Sequence, residues 1–166
     1  MYQKALDFAT KAHGDQLRKY TGVPYIQHPI AVAELIKGLP GHTPEMLAAA
    51  LLHDVVEDTP VTIEDVCNNF GTVVGMYVEY LTDVSKPEDG NRARRKQLDA
   101  FHYARGPAEA QTIKVADLID NTADIYKHDA GFWQVYKQEK WFSLNLLIDA
   151  DQLLWMRAKT QLKELW

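Results

Sequence analysis

Apolar and polar positions along the chain recur at helical spacing almost throughout. Tyr2 to His13 carries Leu6, Ala9 and Ala12 near one face, and Gly14 can end that helix. Gln16 to Pro29 breaks the pattern. Thr21-Gly22-Val23-Pro24 is turn chemistry, Pro24 and Pro29 disfavour helix, and Tyr25-Ile26 reads as a very short extended piece. A short helix follows over Ile30 to Lys37, with Pro29 just before it or in its first turn, and Gly38 to Gly41 break it. Thr43-Pro44-Glu45 reads as N-cap, first helical residue and acidic first turn of a helix running to about Val56. Thr62 to Asp65 resembles a capping box, with Asp for the usual Glu, opening a helix to Asn69.

The second half repeats the theme. Helices are predicted over Thr72 to Thr82, Arg92 to Tyr103 and Ala108 to about Lys127, with the most polar, loop-like stretch at Ser85 to Asn91. Asp129 to Gly131 is a turn. Phe132 to Leu165 forms one long helix or two consecutive ones, with Trp133, Tyr136, Leu144, Leu154 and Leu162 apolar. No run of β-branched residues alternates with polar ones, so the fold class is all-α, a helical bundle in a single domain over 1–166.

Composition narrows the class. A chain of 166 residues fits one domain and can bury a real core. The net charge of −5 argues against a nucleic-acid footprint over the whole surface, and no nucleic-acid partner is expected. No apolar run approaches the ~20 residues of a membrane span, and the N-terminus enters an amphipathic pattern without a signal-peptide core. Cys67 is the single cysteine, so no internal disulfide forms. These features predict a soluble, cytoplasmic protein without a membrane partner. They do not decide between a monomer and a homo-oligomer.

The pattern fails informatively at Leu51-Leu52-His53-Asp54-Val55-Val56-Glu57-Asp58-Thr59. An apolar run from Met46 to Leu52 leads straight into ionisable groups, which are costly to bury unless paired or metal-bound. On a continuous helix one flank would carry His53, Asp54, Glu57 and Asp58. An adjacent His and Asp offer a borderline nitrogen and a hard oxygen to one divalent cation. Glu57 and Asp58, one turn on, are then close enough to handle the water such an ion activates. A second anomaly is Asp117, Asn121 and Asp124 along one face of the Ala108 helix, bracketed by Ile113, Val115, Leu118 and Ile119. By itself such a stripe reads as facing water. His28, between two turn signals, carries little weight alone.

Together these segments match a known arrangement. The order His28, then His53-Asp54, then Asp117 resembles the metal-ligand order of the HD superfamily of phosphohydrolases. His13-Gly14-Asp15-Gln16-Leu17-Arg18-Lys19-Tyr20-Thr21-Gly22-Val23-Pro24-Tyr25-Ile26-Gln27-His28-Pro29 resembles the hydrolase domain of RelA/SpoT proteins nearly position by position, as do Leu51 to Thr59 and Asn69-Phe70-Gly71. The likeness covers about 1–148, leaving 149–166 as a C-terminal helix. The synthetase and regulatory domains of long Rel proteins are not expected here, and the chain is similar to small stand-alone alarmone hydrolases.

The resemblance implies removal of the 3′-pyrophosphate from guanosine tetra- or pentaphosphate, giving GDP or GTP. It implies His28, His53, Asp54 and Asp117 as ligands of one Mn²⁺, with Zn²⁺ and Fe²⁺ also compatible with such a donor set. It implies Glu57 and Asp58 as the residues that orient or deprotonate water. It implies Arg18, Lys19 and Asn121 at the nucleotide, and Tyr136 as a pocket wall, for which a buried-core reading is equally open. Lys114 is expected beside the ligands rather than in the chemistry. Arg92, Arg94, Arg95 and Lys96 read as a solvated basic face. Thr122-Ala123-Asp124 stands where long Rel proteins carry Met-Arg-Thr, which leaves an adenine alarmone, NADPH or a nucleoside monophosphate open as substrate. A non-catalytic alarmone-binding module is a third reading. The complete ligand set and Glu57-Asp58 argue against it. No role is assigned to Asp120.

Overall fold

The computed structural model describes residues 1–165. Among the described residues ten α-helices, one short 3₁₀ turn (Pro87–Asp89) and a single isolated bridge between Leu17 and Pro24 make up the regular structure. The all-α expectation is met. Among the described residues no helix is long and apolar enough to cross a membrane. The chain divides into two compact units, Met1–Thr82 and Asp83–Trp166.

The first unit holds α1 (Tyr2–His13), α2 (Gln27–Lys37), α3 (Pro44–Leu52), α4 (Val55–Asp58), α5 (Ile63–Phe70) and α6 (Thr72–Leu81). Its axis is α3, which packs against α1, α2 and α6. The reason lies in its composition: Ala48, Ala49, Ala50, Leu51 and Leu52 are all fully buried, so the helix has no broad solvent face. Three alanines in a row also keep the helix slim, and neighbours can approach it closely. Thr43 caps it by accepting from the Met46 amide at 3.2 Å, with Pro44 at the first helical position, as its sequence predicts. The Thr62–Asp65 capping box is formed reciprocally, Thr62 Oγ1 accepting from the Asp65 amide at 3.1 Å and Asp65 accepting from the Thr62 amide at 2.9 Å. The hydrogen bonds from Thr62 hold the Asp65 carboxyl below its ordinary range. Gly75 sits where α6 crosses α5, and a β-carbon there would collide with Cys67 Sγ.

Two local expectations fail in this unit. α2 begins at Gln27 rather than Ile30, so His28 lies on a helix and Pro29 in its first turn, where no intrahelical amide is required. Tyr25-Ile26 is a turn rather than an extended piece, and the extended pairing falls instead at Leu17 and Pro24.

The second unit holds α7 (Arg92–Tyr103), α8 (Ala108–His128), α9 (Ala130–Leu146) and α10 (Gln152–Glu164). The last two resolve the Phe132 to Leu165 stretch into separate helices. α9 starts inside the predicted Asp129–Gly131 turn because Asp129 Oδ1 caps it, accepting from the Phe132 amide at 3.0 Å. α8 is central and packs against α7, α9 and α10. Eleven of its residues are buried, including Ile113, Val115, Ala116, Leu118 and Ile119. The polar ones among them are paired: Gln111 accepts from the Asp149 amide at 3.1 Å and donates to Gly106 O at 2.9 Å.

Candidate metal centre and its surroundings

In the first unit the apolar helix α3 stops at Leu52. His53 and Asp54 form a turn, and α4 resumes for a single turn over Val55–Asp58. The helix expected to run unbroken to about Val56 is therefore interrupted at the two residues that carry the chemistry. The cause is visible at His53. Its Nδ1 lies 2.8 Å from the carbonyl oxygen of Ala50, one of the last-turn acceptors that a helix end leaves without an amide partner. A carbonyl only accepts, so Nδ1 carries the proton and donates. In the neutral ring the lone pair then sits on Nε2.

That nitrogen faces two other ligand-type atoms. His53 Nε2 is 3.2 Å from His28 Nε2 and 3.0 Å from Asp54 Oδ2, and His28 Nε2 is 3.6 Å from the same oxygen. Both imidazoles are buried, His53 completely. Ligand atoms held about 2.1 Å from a common ion lie about 3 Å apart in octahedral geometry and about 3.4 Å apart in tetrahedral geometry. Two of the three separations fall in that range, and the third, His28 Nε2 to Asp54 Oδ2, lies just beyond the tetrahedral figure at 3.6 Å. Two imidazole nitrogens and a carboxylate oxygen converging out of water suit a divalent cation, and the fixed tautomer of His53 is the arrangement that metal-binding histidines use. Tyr25 adds a constraint the sequence pattern did not reveal, its hydroxyl donating to Asp54 Oδ2 at 2.5 Å.

Glu57 and Asp58 lie on α4, both exposed. Asp58 Oδ2 accepts from Gln16 Nε2 at 2.9 Å, a second contact missed from sequence because Gln16 lies in an aperiodic stretch forty-two residues earlier. Arg18 and Lys19 belong to the turn closed by the Arg18 amide donating to Val23 O at 2.9 Å and the Gly22 amide donating to Arg18 O at 3.0 Å. Gly22 has a positive φ of 69°, as this turn requires. The Lys19 ammonium stands 4.8 Å over the Tyr20 ring, so the pair is presented on a braced loop rather than a free one.

In the second unit, Asp117 is only 4% exposed, which overturns the solvent-facing reading of its stripe. It is held on α8 by Lys114 Nζ, 3.1 Å from Oδ2, and by Asn121 Nδ2, which donates to Oδ1 at 2.5 Å. Lys114 thus stands beside Asp117. Its ammonium also lies 4.3 Å over the Tyr103 ring. Tyr103 and Lys96 both donate to the Asp83 carboxylate. Burial pushes the Asp83 carboxyl up, but Lys114, Lys96 and Tyr103 together bring it below its ordinary value. Asp124, further along α8, pairs with His128 at 3.1 Å.

Tyr136 is buried, packed against Phe132 and Trp133, and burial with the nearby Asp117 carboxylate drives its phenol well above its ordinary range. The basic run is less solvated than its sequence suggests. Arg92 grips Glu139 with Nε at 2.7 Å and Nη2 at 2.9 Å, and Lys96 pairs with Asp83 and Asp99. Glu139 and Asp83 are distant in sequence from their partners, so no local pattern announces them, whereas Asp99 lies one turn from Lys96.

Comparison with known proteins places the chain in a class. Residues 5–131 match the HD domain, and the chain belongs to that family. Among curated relatives it is 37% identical over 141 residues to human guanosine-3′,5′-bis(diphosphate) 3′-pyrophosphohydrolase MESH1, covering 84% of this chain and 77% of that one. The Drosophila melanogaster protein of the same name is 34% identical over 143 residues, covering 85% of this chain and 78% of that one. A probable GTP pyrophosphokinase of Mycobacterium leprae is 42% identical over 123 residues, 72% of this chain but 15% of that much longer one. The structure of a metazoan ortholog of SpoT that hydrolyzes ppGpp superposes with a TM-score of 0.85 at 28% identity, covering 98% of this chain and 94% of that one.

Proposed function

We propose that this protein is a metal-dependent alarmone hydrolase that removes pyrophosphate from the 3′ position of guanosine tetra- or pentaphosphate, leaving GDP or GTP. The observation that carries the reading is the convergence of His28, His53 and Asp54 on one point in a chain similar to named 3′-pyrophosphohydrolases. Asp117 is the fourth ligand by the family's ligand order. A divalent ion bound there supplies Lewis acidity toward a phosphoryl oxygen and lowers the pKa of water, and Mn²⁺ is the ion proposed.

The chain's own residues do the rest. Asp58, with Glu57 beside it, orients the attacking water and accepts its proton as the new phosphorus–oxygen bond forms. The bond between the 3′ oxygen and phosphorus breaks with its electron pair on the 3′ oxygen, which takes up the proton that Asp58 accepted to become the 3′ hydroxyl, and pyrophosphate departs. Arg18 and Lys19 meet the nucleotide, the guanidinium by stacking or paired hydrogen bonds and the ammonium as a point charge. Asn121 reaches the sugar or base, its Oδ1 available when Nδ2 donates to Asp117. Tyr136 walls the pocket and stays protonated, in keeping with its raised phenol.

The test is to incubate purified protein with guanosine tetraphosphate and Mn²⁺ and separate the products. GDP and pyrophosphate in equal amounts are expected. A panel containing the adenine analogue, NADPH and nucleoside monophosphates decides the base, since Asp124 stands where relatives differ. Faster turnover of any of these would overturn the guanine assignment. Tight binding of the tetraphosphate with no product under any divalent ion would establish a non-catalytic module instead.

A further inference from the structure

His13 ends α1 and is only 6% exposed. Its Nε2 is one of two buried side-chain nitrogens without a hydrogen-bond partner among the described residues. A buried imidazole with an unsatisfied nitrogen is a net cost to folding, so its other contacts are where a compensating role should be sought. They lead to the proposed water-handling group. His13 Nδ1 is 2.8 Å from Gln16 Oε1, and Gln16 Nε2 is 2.9 Å from Asp58 Oδ2.

The chemistry fixes the direction of this chain. An ionised carboxylate only accepts, so Gln16 must turn its NH₂ toward Asp58. Its carbonyl oxygen then faces the imidazole and also only accepts, so the His13 proton sits on Nδ1. Donors therefore run from His13 to Gln16 to Asp58. The face of the same ring stacks on Tyr25, with centroids 4.7 Å apart and planes tilted by 38°. The Tyr25 hydroxyl donates to Asp54 Oδ2 at 2.5 Å. One imidazole thus braces a metal-ligand carboxylate through its face and the water-handling carboxylate through its edge. Asp58 is exposed and sits on a one-turn helix, so without Gln16 its rotamer would be free.

We propose that His13 is a positioning residue for the hydrolysis, acting through Gln16 to hold the Asp58 carboxylate in the orientation that meets the attacking water. This rests on the role given to Asp58 above. Misplacing a reacting group by an ångström is enough to cost a hundredfold in rate, and removing such outer partners costs tenfold to a hundredfold.

The test uses His13→Phe, which keeps a ring against Tyr25 but cannot donate, and His13→Asn, whose amide nitrogen can replace Nδ1. His13→Phe is expected to lower kcat about tenfold to a hundredfold with KM changed by less than about threefold. His13→Asn should stay within about fivefold of the parent. In an Asp58→Asn background His13→Phe should produce no further loss, because the two act in series. A His13→Phe protein with parental kcat, or one that lowers Asp58→Asn by the same factor as the parent, overturns the proposal. The Gln16 side-chain amide is followed by NMR in the same proteins. Its paired NH resonances should move toward free glutamine in His13→Phe and stay in place in His13→Asn. Unchanged resonances in His13→Phe overturn the proposal whether or not the protein hydrolyses the tetraphosphate. A parent that releases no pyrophosphate while the resonances behave as expected overturns the functional reading alone.

Discussion

Asp54 in the first unit and Asp117 in the second are both held by neighbours, but by neighbours of different kinds. The partners of Asp54 include a phenol hydroxyl and two imidazole nitrogens, one of which has its proton committed elsewhere. The partners of Asp117 include a lysine ammonium and a carboxamide, next to a further network of Lys96, Tyr103, Asp83 and Asp99. The second arrangement brings its own positive charge. The first gathers lone pairs, and gains most from a cation added from outside. A ligand-ready cluster is thus recognised by which atoms carry protons as much as by which residues are present.

The sharpest way to break this contrast is to remove the added cation. Exhaustive chelation is expected to abolish hydrolysis and lower the thermal midpoint, with both restored by Mn²⁺, as activity assay and calorimetry would record. Asp58→Asn comes next, with kcat expected to fall by about 10²–10⁴ while metal content by elemental analysis stays at the parental level. Loss of the metal in that variant would mean Asp58 is a ligand rather than a base.

In the second unit the expected effects are on stability. Lys96→Met removes one of the cations that hold the Asp83 carboxyl low, at a cost of about 1–2 kcal/mol by denaturant unfolding at neutral pH. The sign with pH follows from the direction of the shift. A carboxyl held below its ordinary value of 3.8 adds stability above that pH, and the contribution is lost as pH falls through the lower folded value. The parent should therefore lose this stability below about pH 4, and the variant should have less of it to lose, its penalty shrinking at acid pH. A penalty that grew on acidification would contradict the assignment. The smallest effect is expected at Arg92→Met, where the partly exposed pair with Glu139 should be worth less than about 1 kcal/mol and fade in high salt.

The same two regions differ in how much of them could be read from the chain. Periodicity located α1 and α7 because each has one apolar face, and breakers marked the ends of α1, α7 and α8 at Gly14, Arg105-Gly106-Pro107 and Asp129. It could not reveal the interruption after Leu52, since His53 and Asp54 keep right-handed helical dihedrals and the break comes from an imidazole competing for a backbone carbonyl. The motif at His53-Asp54 stands out in the sequence because ionisable groups follow an apolar run, whereas His28 carries little weight alone and enters only through the resemblance. Gln16 and Tyr25 carry no signal of their own in the sequence, because the carboxylates they meet, Asp58 and Asp54, lie far along the chain. Asp117 by itself reads as solvated, because a polar stripe looks that way until a lysine one turn away is seen to accompany it into the interior.

One ring at position 53 both terminates the α3 backbone and offers a nitrogen to the site. Genetics at that codon cannot therefore separate losing an ion from fraying a buried rod of alanines and leucines, whereas changes at 28 or 54 leave the Ala50 carbonyl with its partner. A descendant drifting toward an ion-free scaffold would be expected to surrender one of those two positions first and to keep the histidine that finishes the helix.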